Sequence, residues 1–513
     1  MKSSGDSPRS NPLWTPPLVL ALLALISILA VQFTASNGWT LWYGDAEAHV
    51  NIARRLIDAR EPGYEQIGTV WLPLPHLLMA PWVRNDAMWF SGLGGAIPSA
   101  ACFVLGGLLM FLAMRRSFAS EAAGWAAVAV WALNPNLLYL QSAPMTEPIA
   151  LCCFAGMLWS LANLREGGSG WAAAAGGFTL LGTLTRYEFW ILIPVVTACV
   201  LLVSKRRVRD TFVFGAIATL GPVYWVVHNW ILFSNPIEFY NGYWSAKAIY
   251  QRARDGGMAA YPGDHNLGQA FHYFSAAARL CLGWPLAALA ILGTCAALWK
   301  RAWAPLAICL ALPGFYVLSL YTSGTPIFVP QLWPNTFYNT RYGMAAMPLA
   351  CAAVAALASI SPKRWRAAAV SLLAIVAVTP WLVNPQPENW ICWKESKVNS
   401  EGRRTWTREA AAYLAPRYRT GDGIFSSFGD LSGILREARV PLRESFHEVE
   451  RPPWVAAAAR PEVFLREEWA IAYSGDKVSK AMHRLRRGPR RYECVRIYAV
   501  KGSPVVEIWR HIE

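Results

Sequence analysis

Gly44-Asp45-Ala46-Glu47-Ala48-His49 stands just after an apolar run, residues 15–34, and opens an amphipathic stretch from Ala46 to Ala59. The run is long enough to cross a hydrocarbon core of about 30 Å, which takes roughly 20 apolar residues. Three ionisable groups at the lip of a membrane span are costly and need a reason. The pair of features frames the chain: a membrane helix that delivers acidic side chains to one face.

Composition agrees with a membrane setting. Of 513 residues, 55% are apolar and 15% are charged, where a soluble protein carries about 25% charged residues. The net charge of +15 does not point to nucleic acid, because the basic residues fall in short knots between apolar runs. No Walker loop, dinucleotide fingerprint or zinc-type cysteine pairing is present. Most cysteines lie inside apolar segments as small packing residues. Cys392 and Cys494 lie in the polar C-terminal region, where an external location would let them form a disulfide.

Eleven stretches read as spans: 15–34, 88–114, 122–140, 147–164, 171–187, 189–204, 211–233, 276–299, 303–321, 342–360 and 367–384. Segment 70–83 carries Pro73, Pro75, His76 and Pro81 and reads as a re-entrant or interfacial piece. With a cytoplasmic tail at residues 1–14, the knots at Arg115-Arg116, Arg165, Lys205-Arg206-Arg207, Lys300-Arg301 and Lys363-Arg364 all fall inside, as the positive-inside rule requires. The first span reads as a retained anchor rather than a cleaved signal peptide. Loops 35–87, 234–275 and 322–341 are then external. From about residue 385 the chain stays polar, and residues 385–513 read as a small extracytoplasmic α/β domain. Its expected elements are helices over 408–418, 430–438 and 476–487, and strands over 423–428, 469–473, 492–500 and 504–511. The expected fold class is a mainly α-helical polytopic membrane protein, residues 15–384, with that domain appended.

The external side collects the candidate chemistry. On a helix, Asp45 and His49 share a face and Glu47 points elsewhere. Asp45 also fits as a helix N-cap, and Asp45, Glu47 and His49 as an imperfect metal cluster. Glu147, in Met145-Thr146-Glu147-Pro148, starts a helix at the same level, where an acid also suits the helix dipole. Thr185-Arg186-Tyr187-Glu188 and Thr340-Arg341-Tyr342 place an arginine at two further helix ends. Each arginine fork fits an anionic phosphate, though Arg186 has an internal partner available in Glu188. Lys247 is a further candidate cation. Trp71, Tyr240, Tyr243, Trp244, Trp333 and Tyr338 suit sugar stacking or interfacial anchoring.

Gly-Asp-x-Glu after the first span, Thr-Glu-Pro after the third and Arg-Tyr before a late span resemble the GT-C superfamily of membrane glycosyltransferases. The bacterial protein-O-mannosyltransferase-like and aminoarabinose-transferase-like enzymes are the members it is most similar to. The resemblance covers roughly residues 15–384. It implies transfer of a hexose or pentose from a polyprenyl-phosphate donor to a protein, lipid or glycan acceptor at the outer face of a bacterial inner membrane. It implies Asp45 as catalytic base with Glu147 beside it, Glu47 and His49 as further candidates, and Arg341, Arg186 and Lys247 at the donor phosphate. It leaves a divalent metal open, and no other cofactor is expected. Two other readings share the topology. A secondary transporter or flippase would couple intramembrane acids to ions, but no inverted repeat is visible. An outer-face polysaccharide polymerase or ligase would use a lipid-diphosphate donor.

Overall fold

The computed structural model describes residues 15–449, 452–487 and 491–512; the expected tail at 1–14 lies outside the described residues. In chain order the principal helices are α1 (Thr15–Ser36), α2 (Gly44–Arg55), α3 (Leu74–Val83), α4 (Leu93–Ser117), α5 (Glu121–Leu133), α6 (Glu147–Arg165), α7 (Ser169–Thr183), α8 (Glu188–Val203) and α9 (Arg207–Phe233). They continue with α10 (Leu267–Leu282), α11 (Trp284–Trp299), α12 (Trp303–Tyr321), α13 (Thr340–Ile360), α14 (Lys363–Val383) and α15 (Ile391–Leu414).

Among the described residues, seven of these are long and apolar enough to cross a bilayer: α1, α4, α6, α9, α12, α13 and α14. The pair α10–α11 makes an eighth if counted as one span, but it bends by 110°. The bend falls at Gly283, whose φ of 78° is left-handed and suits glycine; Pro285 follows at the start of α11. The expected spans at 122–140, 171–187 and 189–204 therefore appear as the shorter helices α5, α7 and α8. In the first case Asn134 caps a new helix that begins at Pro135, and the residue before a proline leaves the helical region. The segment at 70–83 contains only the ten-residue α3, with proline at its start.

The outer helices show why the chain needs lipid. Of the 22 residues of α1, only Val19, Leu23, Ser27 and Thr34 are buried, while Leu18, Leu25, Ile28 and Leu29 are more than half exposed. So broad an apolar surface is unstable in water and at home in a bilayer. The protein is a multi-pass membrane protein. Inside the bundle, small residues bring backbones together: a Cβ at Gly293 of α11 would strike the Ala353 carbonyl of α13, an approach typical of membrane helix pairs.

Beyond α14, a five-stranded sheet forms from β1 (Ile424–Ser426), β2 (Ser445–Phe446), β3 (Trp469–Tyr473), β4 (Arg491–Tyr498) and β5 (Val506–Ile512), in the order β2-β1-β3-β5-β4. β1 pairs parallel to β2 and β3, and β5 pairs antiparallel to β3 and β4. The expected strands appear close to their predicted positions; β2 is additional. Helices α16 (Ser432–Glu437) and α17 (Lys477–Arg484) match expectation too, and Asp476 caps α17 through the Ser479 N–H at 2.7 Å. The helix expected at 408–418 is the end of α15, which begins 17 residues earlier than 408.

Two expectations are corrected here. The amphipathic stretch expected from Ala46 to Ala59 presents no solvated face along α2: every residue from Ala46 to Arg55 is buried. One side packs on the bundle, and the other side packs on Trp406, Leu431 and Ile434 from the C-terminal part. Cys392 and Cys494 are both free. Cys392 sits buried at the start of α15, its N–H donating to Asn136 Oδ1 at 2.9 Å, whereas Cys494 lies on β4.

Candidate active site

The guanidinium of Arg341 is the centre of the site. It lies in the 3₁₀ turn that opens α13 and is only 6% exposed. Its Nη2 donates to Asp45 Oδ2, its Nε to Glu147 Oε1 at 3.0 Å, and its Nη1 to Glu395 Oε1 at 3.4 Å. Three carboxylates from three distant parts of the chain thus converge on one fork. A buried arginine demands such pairing, since an isolated charge would be expelled or neutralised.

Arg186 stands beside it and shares Glu147, at 3.0 Å from its Nη1. Its Nε donates to Glu188 at 2.5 Å, its Nη1 to Thr146 Oγ1 at 2.8 Å and its Nη2 to the Tyr316 hydroxyl at 2.8 Å. The Tyr342 ring lies 5.1 Å from both guanidinium carbons, and Tyr43 lies 5.0 Å from that of Arg341; both distances allow cation–π attraction. Next to the two arginines opens a cleft walled by Ala150, Leu151, Phe189, Leu312, Tyr316, Met344 and Ala345. The same cleft is lined by Arg186, Arg341, Glu147 and Glu188, so charged groups and apolar walls meet there.

Asp45 occupies the first turn of α2, and the N-cap is Tyr43, which makes no side-chain cap bond. Its carboxyl is spent on Arg341 rather than on capping. At 39% exposed it is the open member of the cluster, against 7% for Glu147 and 2% for Glu395. Desolvation pushes the Asp45 carboxyl up, but Arg341, His49, Arg186 and Arg403 outweigh it and hold the group below the usual carboxylate range. Asp430 reaches the same opening, with its Oδ1 close to Gly44. Burial, together with the neighbouring Glu47 and Asp45, raises its carboxyl against the pull of Arg403. Glu147 begins α6, and its buried Oε2 has no hydrogen-bond partner among the described residues.

The other candidates fall outside this cluster. Glu47 points to the C-terminal side, where Arg436 Nε donates to its Oε1 at 2.7 Å and Asn51 donates at 3.2 Å. Burial would raise its carboxyl, but Arg436 and Arg403 hold it low. His49 lies one turn from Asp45, yet its Nδ1 meets His76 Nε2 at 2.9 Å and its ring packs on Trp71 at 4.8 Å. Burial pushes His49 down to about 4, so it is neutral at pH 7. Lys247 is exposed over the Tyr240 ring at 4.9 Å. Among the described residues no group of three or more His, Cys, Asp or Glu side chains is arranged to hold a metal ion. The Asp45-Glu47-His49 motif fails as a cluster because its side chains diverge, to Arg341, Arg436 and His76 respectively.

Sequence reasoning placed Asp45, Glu147, Arg186 and Arg341 at helix ends on one side, and the structure brings those four together. It missed Glu395, Tyr316 and Asp430. Glu395 stands in Trp393-Lys394-Glu395-Ser396, ahead of the first helix expected in the C-terminal part, and no motif marks it in the sequence.

Residues 79–230, from α3 to α9, match the family model described as dolichyl-phosphate-mannose-protein mannosyltransferase. That segment holds Glu147 and Arg186 but neither Asp45 nor Arg341. The whole chain superposes on ArnT from Cupriavidus metallidurans bound to undecaprenyl phosphate, with a TM-score of 0.57 and 13% identity, covering 97% of this chain and 98% of the other. The chain has the fold of the GT-C superfamily. The same ArnT in the apo state gives a TM-score of 0.54 at 13% identity, over 94% and 97% of the two chains. A curated relative, the undecaprenyl phosphate-alpha-4-amino-4-deoxy-L-arabinose arabinosyl transferase of Edwardsiella ictaluri (strain 93-146), is 27% identical over 212 residues. That match takes in 36% of this chain, and the chain spans about a third of the relative's length, 35%.

Proposed function

We propose that this chain is an inverting glycosyltransferase that moves a sugar from a polyprenyl-phosphate donor to an acceptor hydroxyl at the outer face of a bacterial inner membrane. The observation that carries the reading is Arg341, buried and bridging Asp45 to Glu147 at the mouth of an apolar cleft. Apolar walls beside two arginines suit a phosphate carried on a lipid. The likeness to an ArnT structure bound to undecaprenyl phosphate supports the same donor class.

In this reading the acceptor oxygen attacks the anomeric carbon while Asp45 takes the hydroxyl proton. The bond from that carbon to the phosphate oxygen breaks with its electron pair, and Arg341 and Arg186 stabilise the departing phosphate. One displacement with base and leaving group on opposite sides inverts the centre. The buried, unpartnered Oε2 of Glu147 is left to accept a hydroxyl of the acceptor. Lys247, on an exposed helix, is assigned to donor headgroups arriving at the rim. The basic knots assign the N-terminus to the cytoplasm. The described part of residues 385–513 is assigned to an extracytoplasmic domain, and the eleven-crossing count holds if α5, α7 and α8 each cross and α10–α11 counts as one span.

The test is transfer itself. Purified chain in proteoliposomes receives polyprenyl-phosphate donors carrying radiolabelled pentose or hexose, and label is followed from lipid into added glycolipid, glycan or peptide acceptors. Donor-dependent transfer with inverted anomeric configuration is expected. Movement of a solute or intact lipid across the vesicle wall without transfer would instead make the chain a transporter.

A further inference from the structure

The buried cluster has two halves that come from opposite ends of the chain, Asp45 on α2 and Arg341 on α13. One later helix holds both. From α15, Glu395 accepts the N–H of Asn339 at 2.9 Å, the N–H of Thr340 at 2.8 Å and the Thr340 hydroxyl. Asn339 is left-handed, with φ 53°, so two successive N–H groups turn toward one carboxylate as in an anion-binding nest. These are the two residues before Arg341. Eight residues along α15, about 12 Å at 1.5 Å per residue, Arg403 Nη2 donates to the carbonyls of Leu41 at 3.1 Å and Trp42 at 2.7 Å. Those two residues lead into Gly44 and Asp45. Its Nη1 lies 3.8 Å from Glu47, on the same helix as Asp45. Both grips are buried, with 2% exposure at Glu395 and 9% at Arg403.

We infer that α15 acts as a caliper, in which Glu395 and Arg403 are positioning residues that fix the distance between Asp45 and Arg341. The inference rests on the reading of Asp45 as base. A buried carboxylate that engages three groups of the turn ahead of Arg341 costs more to desolvate than water-filled backbone caps would. Its return is geometric: a displacement of about 1 Å at a reacting group costs on the order of a hundredfold in rate. The polar C-terminal part thereby governs the membrane site without its sheet touching the reacting atoms.

The test uses Glu395→Asp, which keeps the charge and shortens the arm by one methylene, Arg403→Lys, which keeps the charge on an arm one bond short of the Nη2 that meets both carbonyls, and the double variant. Two readouts are taken on the full-length protein. The first is pH-dependent labelling of Asp45 by a water-soluble carbodiimide, located by mass spectrometry, which needs no catalysis. Asp45 also faces His49, Arg186, Glu147, Asp430, Tyr338 and Tyr342, all retained in every variant, and Arg403, whose charge Arg403→Lys keeps. In Glu395→Asp and in Arg403→Lys the labelling midpoint should rise by about one pH unit as Arg341 draws away. The second is transfer from a radiolabelled polyprenyl-phosphate sugar. Each single variant should lose at least tenfold in kcat, and the double variant should fall no further than the worse single. An unmoved labelling midpoint, or losses that multiply while only the thermal midpoint drops, would overturn the caliper. Shifted midpoints in the variants of a wild-type chain that itself transfers no sugar would leave the caliper standing and sink the proposed reaction.

Discussion

Asp45→Asn separates chemistry from folding because of where Asp45 sits. Its side chain is 39% exposed, so its ion pair with Arg341 is screened, and such pairs contribute about 1 kcal/mol or less. Arg341 keeps Glu147 and Glu395 after the change, so no buried charge is orphaned. The amide is nearly the same size, can accept from Arg341, and no cap is lost, since Tyr43 holds the N-cap position. The thermal midpoint should therefore move by no more than about 2 °C. Transfer should fall far more: a lost general base removes about 10²–10⁴ in rate, which is roughly 2.7–5.4 kcal/mol on the barrier. The assay follows radiolabel from polyprenyl phosphate into acceptor, alongside thermal unfolding of the same preparation. A variant that stays folded and transfers within tenfold of wild type refutes the assignment of the base.

Arg341→Gln strips the shared cation from three carboxylates, and should lower stability by about 3–5 kcal/mol and weaken polyprenyl-phosphate binding at least a hundredfold. An unchanged affinity in a folded variant removes Arg341 from the phosphate site. His49 carries a pH dependence of stability. Its folded value of about 4 lies below the ordinary 6.5, so the unfolded chain protonates first as pH falls. About 3 kcal/mol that is present above pH 6.5 should be lost by pH 4. Burial pushes His76 and His447 down as well, so His49→Gln should make that limb shallower by one proton's share in denaturant titrations, and an unchanged slope would show that His49 does not contribute. Gly343→Ala drives a Cβ into the Ala277 carbonyl, which should cost about 1–3 kcal/mol and raise the donor KM by moving the turn that carries Arg341. A variant with wild-type thermal midpoint and KM would show that the turn can yield there.

The helix ends were legible because lipid imposes a simple rule. Charge is costly within hydrocarbon, so Asp45, Glu147, Arg186 and Arg341 stood out at the ends of apolar runs, and the basic knots sorted those ends onto one side. Helix breaks within runs were less legible. Hydropathy carries 122–140 straight through Asn134-Pro135 and 276–299 through Gly283, although the local chemistry of both sites ends a helix. The burial of α2 could not be read at all. Its outer face looked solvated because its cover, Trp406 to Ile434, lies more than 350 residues away in sequence. Glu395 was hidden for the same reason, since its partners Asn339, Thr340 and Arg341 are 54–56 residues distant.

The acid count explains why Asp45 is the exposed member. Asp45, Glu147, Glu188 and Glu395 contact two arginines, Arg186 and Arg341, so the cluster holds more carboxylate than cation. Burial offsets part of the surplus by raising the Glu395 carboxyl, against the pull of Arg341 and the Thr340 and Asn339 donors. A phosphate that pairs with Arg341 would compete with these carboxylates for it, and exposure decides which one yields. Glu395 and Glu147 are locked by burial and by further bonds, whereas Asp45 has solvent on one side. A donor phosphate that draws on Arg341 from the far side of the anomeric carbon would share that cation with Asp45, and the weaker pull on Asp45 would raise its proton affinity. In the free chain the same ion pair keeps Asp45 a weak base. Donor binding and base activation then become one event, so acceptor activation should wait for donor, and steady-state kinetics should be ordered with donor first.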